Sequence, residues 1–348
     1  MKASIFIAVA GALALAGCGD QAGSGTGATR SQIRVVGSST VYPFTTAVAE
    51  RFAQAHPDFK APIVESTGTG AGMKLFCAGV GAQFPDISNA SRRIKKSEAE
   101  DCARNGVKQI VEVPVGIDGL VFVESNKAQP ISLTIEDVYK AIAAQPYGKD
   151  NRAKTWKDVN PSLPAVPIRV YGPPPTSGTR DALAEMILEK ACDLNPQMKA
   201  LKASDSDRHK EICTKVREDG VYVETGENDN LLVQKVSSNP GAVGVLGYSF
   251  LEENLDKVRG IALGGVMPSY QTISSYSYPG ARPLYIYAKG EHLNAIPGLR
   301  EFLAEYARAS DADGYLVQRG LISLPGDART KAVDAATNMT PLDRAELN

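Results

Sequence analysis

Histidine is scarce and scattered. The 348-residue chain contains only His56, His209 and His292, and no G-x-S-x-G elbow, G-x-x-x-x-G-K-[ST] loop or H-E-x-x-H helix occurs. A Ser-His-Asp triad, a P-loop nucleotide site and a zinc-peptidase site therefore lack the residues to build them. Gly68-Thr69-Gly70-Ala71-Gly72 also lacks the G-x-G-x-x-G spacing of a dinucleotide turn. Positive charge is not in surplus: 38 Lys and Arg face 39 Asp and Glu, a net charge of −1. The densest basic run, Arg92-Arg93-Ile94-Lys95-Lys96, is offset at once by Glu98, Glu100 and Asp101. A nucleic-acid partner normally requires a basic surplus or patch, so none is expected. No C-x-x-C pair is present, and zinc is not expected either. The absences point away from enzymes: no catalytic residue, metal or cofactor is read from the chain.

What is present begins at the N-terminus. Lys2 precedes an apolar run from Ala3 to Ala16, shorter than the roughly 20 residues that span a bilayer. Leu15-Ala16-Gly17-Cys18 resembles the bacterial lipoprotein signal, in which the cysteine becomes the lipidated first residue. The expectation is a signal peptide over 1–17, lipidation of Cys18 and a flexible Gly/Ser/Thr/Ala-rich tether over 18–31. That places the protein in the periplasm or cell envelope, anchored to a membrane by lipid. Four cysteines remain, an even number in an oxidising compartment, with three possible pairings. Proximity along the chain favours Cys77–Cys102 and Cys192–Cys213, each worth on the order of 3 kcal/mol.

Apolar runs alternate with amphipathic stretches, the pattern of an α/β protein. Strands are predicted over 33–36, 61–65, 86–90, 110–115, 120–123, 168–171, 242–246 and 283–288. Helices are predicted from Pro43, after Gly72, over 95–103, over 132–144, over 181–191, over 209–217, over 231–236, over 249–255, near 296–307 and over 311–317. The stretch 145–167, around Trp156, reads as surface loop. The order suits two lobes, 32–115 with 265–348 and 116–264, joined by a hinge near 115–118 and 263–274. A cluster of Tyr270, Tyr276 and Tyr278 lies beside the second crossing and reads as packing there or on the surface.

Three turns stand out: Gly37-Ser38-Ser39-Thr40, Gly68-Thr69-Gly70-Ala71-Gly72 and Thr176-Ser177-Gly178-Thr179-Arg180-Asp181. Each follows a predicted strand and enters a predicted helix. Helix N-termini expose unpaired N–H groups and about half a positive charge, and Ser and Thr hydroxyls add donors. One such turn is an ordinary N-cap. Three, at the strand ends where α/β sheets bind ligands, read as a cage for a small oxyanion.

The motifs support a family resemblance. Gly-Ser-Ser-Thr-Val-Tyr-Pro at 37–43, Gly-Thr-Gly-Ala-Gly at 68–72, Asp-Ile-Ser-Asn-Ala-Ser-Arg at 86–92 and Ser-Gly-Thr-Arg-Asp at 177–181 resemble the periplasmic phosphate-binding proteins of ABC importers. Asn-Pro-Gly-Ala-Val-Gly-Val-Leu-Gly-Tyr at 239–248 and Arg-Pro-Leu-Tyr-Ile-Tyr at 282–287 extend the resemblance over nearly the whole mature chain. It implies a two-lobed venus-flytrap fold of type II, with the ligand cleft between the lobes. It also implies capture of phosphate or a related oxyanion, an ABC permease in the inner membrane as partner, and a monomeric protein. Position by position, the resemblance carries ligand contacts to Thr40, Val41, Thr69, Ser177, Gly178 and Thr179, with Ser39 as an extra donor.

Two positions depart from the pattern. Ser91 stands where many members have an Asp that accepts the proton of hydrogen phosphate. Pro173 stands where they have an Arg. A Ser-Arg pair is found in part of the family, and Ser91-Arg92 fits it, making Arg92 the expected counter-charge. Arg93 is expected to be exposed, and Arg180 is either an exposed first-turn residue or a ligand contact. Serine is neutral and can donate as well as accept, so weaker discrimination between phosphate and other tetrahedral anions is expected. The stiff Pro173-Pro174-Pro175 turn leaves open a phosphonate, phosphate ester or phospholipid ligand, and a phosphate-sensing or scaffold role is a further alternative.

Overall fold

The computed structural model describes residues 30–175, 177–226 and 229–347. The expected signal peptide, Cys18 and nearly all of the tether lie outside the described residues. Eleven strands occur among them, of which nine make one mixed sheet. The first are β1 (Arg34–Gly37), β2 (Ile63–Ser66), β3 (Ile87–Ala90), β4 (Ile110–Ser125), β5 (Ser132–Leu133) and β6 (Val170–Gly172). The remainder are β7 (Tyr222–Glu224), β8 (Val243–Gly247), β9 (Val258–Gly260), β10 (Ala262–Leu263) and β11 (Ala281–Lys289). The order is β2-β1-β3-β11-β4-β8-β6-β7, with β9 also on β4 and β10-β5 as a separate pair. β1 is parallel to β2 and β3, and β6 is parallel to β7 and β8, so two parallel units flank the antiparallel pair β11–β4.

Parallel strands covered on both faces must be apolar throughout, and β1 and β8 obey: Val35, Val36, Val243, Val245 and Leu246 are buried. Pro43 enters the first turn of helix Tyr42–Ala55, where its missing N–H costs nothing, and Val48 and Phe52 face the core. Two large apolar clusters result. One gathers Ile33, Val35, Phe52, Val113, Phe302 and Tyr306 around the first half of the sheet. The other gathers Val121, Val123, Trp156, Leu183, Leu232 and Leu246 around the second. Cys77–Cys102 and Cys192–Cys213 are both joined in disulfides, the local pairings expected, one in each half.

Several expectations change. The strands predicted over 110–115 and 120–123 are one 16-residue strand that pairs with β11 over its first part and with β8 and β9 over its last. Gly116 and Gly119 read as a break, yet they sit in the strand because neighbours fill the space a side chain would take. A Cβ at Gly116 would lie 2.5 Å from Leu321 Cδ1, and one at Gly119 would lie 2.9 Å from Ile322 Cδ1. β4 therefore carries the chain between halves without a linker. Within and just after the second expected crossing, 263–274, Ile273 and Tyr278 are buried in the apolar cluster of the second half. Tyr270 and Tyr276 are exposed.

Trp156 is 2% exposed, not on a surface loop. It opens the short helix Trp156–Val159, fixed by the reciprocal Thr155/Asp158 cap that the polar surroundings concealed. The helix predicted after Gly72 starts earlier and spans Thr69–Phe76. Residues 311–316 are turn rather than helix, followed by one 3-10 turn over Val317–Arg319, and the sequence does not predict the helix Gly326–Asn338; Ala332 and Ala336 are its buried residues, too small a stripe to read as periodic.

Candidate oxyanion site between the two halves of the sheet

The motifs at 37–43, 68–72, 86–92 and 177–181 lie at the carboxyl ends of β1, β2, β3 and β6. After β1, the Ser38 N–H donates to the Asn89 carbonyl at 3.0 Å, and the Tyr42 N–H donates to the Ser38 carbonyl at 3.0 Å. These bonds tie the turn 38–41 down against the end of β3. Thr40 is nearly buried, and Val41 is fully so. The second turn leads directly into helix Thr69–Phe76. Its Thr69 hydroxyl oxygen accepts the Ser91 N–H at 3.2 Å and lies 3.0 Å from the Ser91 hydroxyl. Thr69 and Ser91 are thus one unit, although 22 residues separate them.

The third turn belongs to the other half. The Ser177 hydroxyl caps helix Gly178–Ala182 by accepting the Thr179 N–H at 3.2 Å. Gly178 then presses onto the first turn: a Cβ there would lie 2.8 Å from Thr40 Cα and 2.9 Å from the Ser39 carbonyl oxygen. The Thr40 hydroxyl donates to the Gly178 carbonyl at 3.2 Å, and the Ser39 hydroxyl donates to the Asp181 carboxylate. The first and third turns, about 140 residues apart in sequence, are in direct contact. Thr176 lies outside the described residues.

The sequence gives no role to Arg282, which opens the quoted Arg-Pro-Leu-Tyr-Ile-Tyr motif. Arg282 is 7% exposed and uses all three sides of its guanidinium. Nε meets Asp118, its cross-strand partner in β4, at 3.1 Å; Nη2 donates to the Thr40 hydroxyl at 2.7 Å; Nη1 donates to Glu185 at 2.5 Å. Burial pushes the Asp118 carboxyl above the usual range, against the pull of Arg282. Glu185 was likewise not singled out. It lies in the π-helical segment Leu183–Leu188 and also accepts from the Ser91 hydroxyl at 3.2 Å. Such single-turn widenings of a helix frequently accompany functional sites.

Arg92 lies beside this group but spends its fork on Glu98, at 2.7 and 2.9 Å, with about a third of its side chain exposed. Arg93 pairs with Glu112. Arg180 stacks over the Tyr222 ring at 4.5 Å and donates to the Pro173 carbonyl at 3.2 Å, so it braces the proline turn. No histidine joins the site. His56 packs on Phe52 and Phe59, His209 meets Asp193, and His292 meets Asp86. His209 does lie within 4.8 Å of Cys192 and Cys213, but those sulfurs form a disulfide and are not thiolate ligands. The assembled groups are hydroxyls, one buried guanidinium and the carboxylates of Asp118, Asp181 and Glu185: they suit recognition of a small polar ligand through hydrogen bonds.

Residues 22–310 match the PBP superfamily domain. The chain belongs to the PBP superfamily. SphX of Synechococcus elongatus is 35% identical over 313 residues, covering 88% of this chain and 81% of that protein. The phosphate-binding protein PstS of Staphylococcus saprophyticus is 30% identical, covering 85% of this chain and 82% of its own. Among solved structures, a possible phosphate binding protein from Planctomyces limnophilus aligns with a TM-score of 0.68 at 29% identity, over 89% of this chain and 99% of that one. An ABC-type phosphate transport receptor from Vibrio cholerae shares the fold, with a TM-score of 0.58 at 24% identity over 84% of this chain and all of that one. The α/β fold of periplasmic-binding-protein type expected from the motifs is the fold of these PBP neighbours. No helix among the described residues is long and apolar enough to cross a membrane.

Proposed function

We propose that this PBP-superfamily chain is an extracytoplasmic solute-binding protein that captures inorganic phosphate, or a closely related oxyanion, and hands it unchanged to an ABC permease. The observation that carries the reading is the contact of Ser39 and Thr40 with Gly178 and Asp181, which brings hydroxyl-bearing turns from both halves of the sheet to one place. The name of the phosphate-binding protein PstS of Staphylococcus saprophyticus, 30% identical, points the same way. In this reading Ser39, Thr40, Val41, Thr69, Ser91, Ser177, Gly178 and Thr179 supply the donors around the anion. Arg282, buried and bonded to Thr40 of the first turn, joins Arg92 as a candidate for the counter-charge; Arg92 pairs with Glu98, and Arg282 with Asp118 and Glu185. The site needs neither a metal nor a cofactor for this work, and no bond of the ligand is made or broken.

The two halves of the sheet act as lobes that part to admit the ligand and close on it, and the closed form is the one a permease recognises. Cys18 carries the lipid that keeps this monomeric protein at the membrane. Calorimetric titration of the purified protein with phosphate, sulfate, arsenate and methylphosphonate tests the ligand reading. Heat of binding with phosphate is expected. No heat with any inorganic anion would overturn that ligand assignment and favour an organic phosphorus compound. Replacing Thr179 with Val removes one donor and should weaken phosphate by about 1–3 kcal/mol. An unchanged affinity would take Thr179 out of the site.

A further inference from the structure

We infer that Tyr222 is a positioning residue of the anion site: with Arg180 it fixes the Pro173 carbonyl, and so holds the donors of Ser177, Gly178 and Thr179 in their binding arrangement before a ligand arrives. The inference rests on the phosphate reading of the same site. Pro173, Pro174 and Pro175 have no N–H groups, so the turn they form cannot be tied down by donors of its own. Only its carbonyls can be held. The Pro174 carbonyl accepts the Ser177 N–H at 3.0 Å, a bond within the turn that leaves the turn free to move as one piece. Fixing its place against the sheet falls to the Pro173 carbonyl, which takes the Tyr222 hydroxyl at 2.8 Å and Arg180 Nη1 at 3.2 Å. A carbonyl oxygen has two lone pairs, and both are used.

The two donors come from different elements. Tyr222 belongs to β7, the last strand in the order of the sheet, and is buried. It pairs with Val170 in β6, and its hydroxyl reaches past Gly172 to the turn. Gly172 makes room for it: a Cβ there would collide with the Tyr222 hydroxyl. Burial pushes the pKa of that hydroxyl up to about 12, so it remains a donor near neutral pH. Arg180 comes from helix Gly178–Ala182 itself, with its guanidinium 4.5 Å from the centre of the Tyr222 ring. The helix whose first residues carry the donors is thereby locked to the strand that precedes it. Thr225, just after β7, donates its N–H at 3.0 Å and its hydroxyl at 3.2 Å to the Gly172 carbonyl, which fixes the end of β6. Without the Tyr222 hydroxyl the Pro173 oxygen keeps one donor of two, and the prolines supply no other hold. The ligand must then order the turn as it binds, and affinity falls.

The test titrates phosphate calorimetrically into the full chain and into Tyr222→Phe, which keeps the ring beneath Arg180 and removes only the hydroxyl. Phosphate affinity should fall about fivefold to tenfold. A control separates positioning from simple loss of stability. Val258→Ala deletes buried methyl groups in the same apolar cluster, on β9, which β4 and β8 separate from β6. It should lower stability in urea unfolding yet bind phosphate as the wild type does. Arg180→Met removes the second donor and should also weaken phosphate. The double variant Arg180→Met/Tyr222→Phe should lose less than the product of the two single losses, because both donors act through one oxygen. Losses that multiply, full affinity in Tyr222→Phe, or an equal loss in Val258→Ala would each overturn the inference. Should Tyr222→Phe fail to fold, judged by circular dichroism, Arg180→Met decides against Val258→Ala, and full affinity in Arg180→Met overturns the inference. A folded wild type that binds no phosphate removes the phosphate reading itself, and the inference with it.

Discussion

At the scale of single residues, Arg282 is the centre of the site. It is buried, and its partners come from far along the chain: Thr40 lies 242 positions away and Glu185 lies 97. Removing one member of a buried ion pair costs about 3–5 kcal/mol, because the remaining charge is left without compensation. Glu185 is half-exposed and loses little, so most of the cost falls on Asp118. Arg282→Met should therefore destabilise the protein by about 3 kcal/mol in urea unfolding and abolish measurable phosphate binding. The double variant Asp118→Asn/Arg282→Met should recover stability without recovering binding. Recovery of both would mean that the guanidinium never touches the anion. Arg282 was hard to read beforehand because a lone Arg before a proline has no local signature; its meaning lies in the β4–β11 register. Arg92 shows the converse. Its place after Ser91 suggested a ligand contact, but Glu98, six residues on, satisfies it through a geometry that spacing alone does not reveal.

At the scale of elements, the turns were legible because their chemistry is local. A Gly-Ser/Thr cluster between an apolar run and an amphipathic one has few uses besides starting a helix. Which turns would face each other was not local information. Gly178 makes the point: in sequence it is one more small N-terminal helix residue, yet in the fold it is where two halves touch. An alanine there would place its Cβ 2.8 Å from Thr40 Cα, which is backbone and cannot swing aside. Gly178→Ala should leave each half folded, with melting temperature nearly unchanged, while holding the halves apart by a few tenths of an ångström or more. Phosphate affinity should fall by about tenfold or more, since hydrogen bonds weaken steeply as their geometry opens. Full affinity in Gly178→Ala, measured by calorimetry, would show that this contact loosens without cost. β4 was misread for a related reason. Gly116 and Gly119 are breakers by local rules, and only the approach of Leu321 and Ile322 from the C-terminal segment explains them.

At the scale of the whole molecule, two parallel β-units share an antiparallel pair, and each carries its own disulfide and its own apolar core. The bonds that join the halves at the site are polar: Ser39 to Asp181, Thr40 to Gly178, and Ser91 and Arg282 to Glu185. Polar contacts exchange readily with water and contribute about 0.5–1.5 kcal/mol each. Such an interface can open, which an apolar one of the same size could not do cheaply. The same bonds make the ligand a bridge between halves, so its binding energy must appear as stability of the joined molecule. At phosphate 100 times its dissociation constant, unfolding free energy should rise by about 2.7 kcal/mol. Gly178→Ala, compared at the same phosphate concentration, should show a smaller rise, because its dissociation constant is larger. Sulfate at equal concentration should give the wild type a smaller rise. A thermal or urea melt followed with each anion measures this, and a rise as large with sulfate as with phosphate would mean that the stabilisation is a general salt effect rather than capture between the two halves.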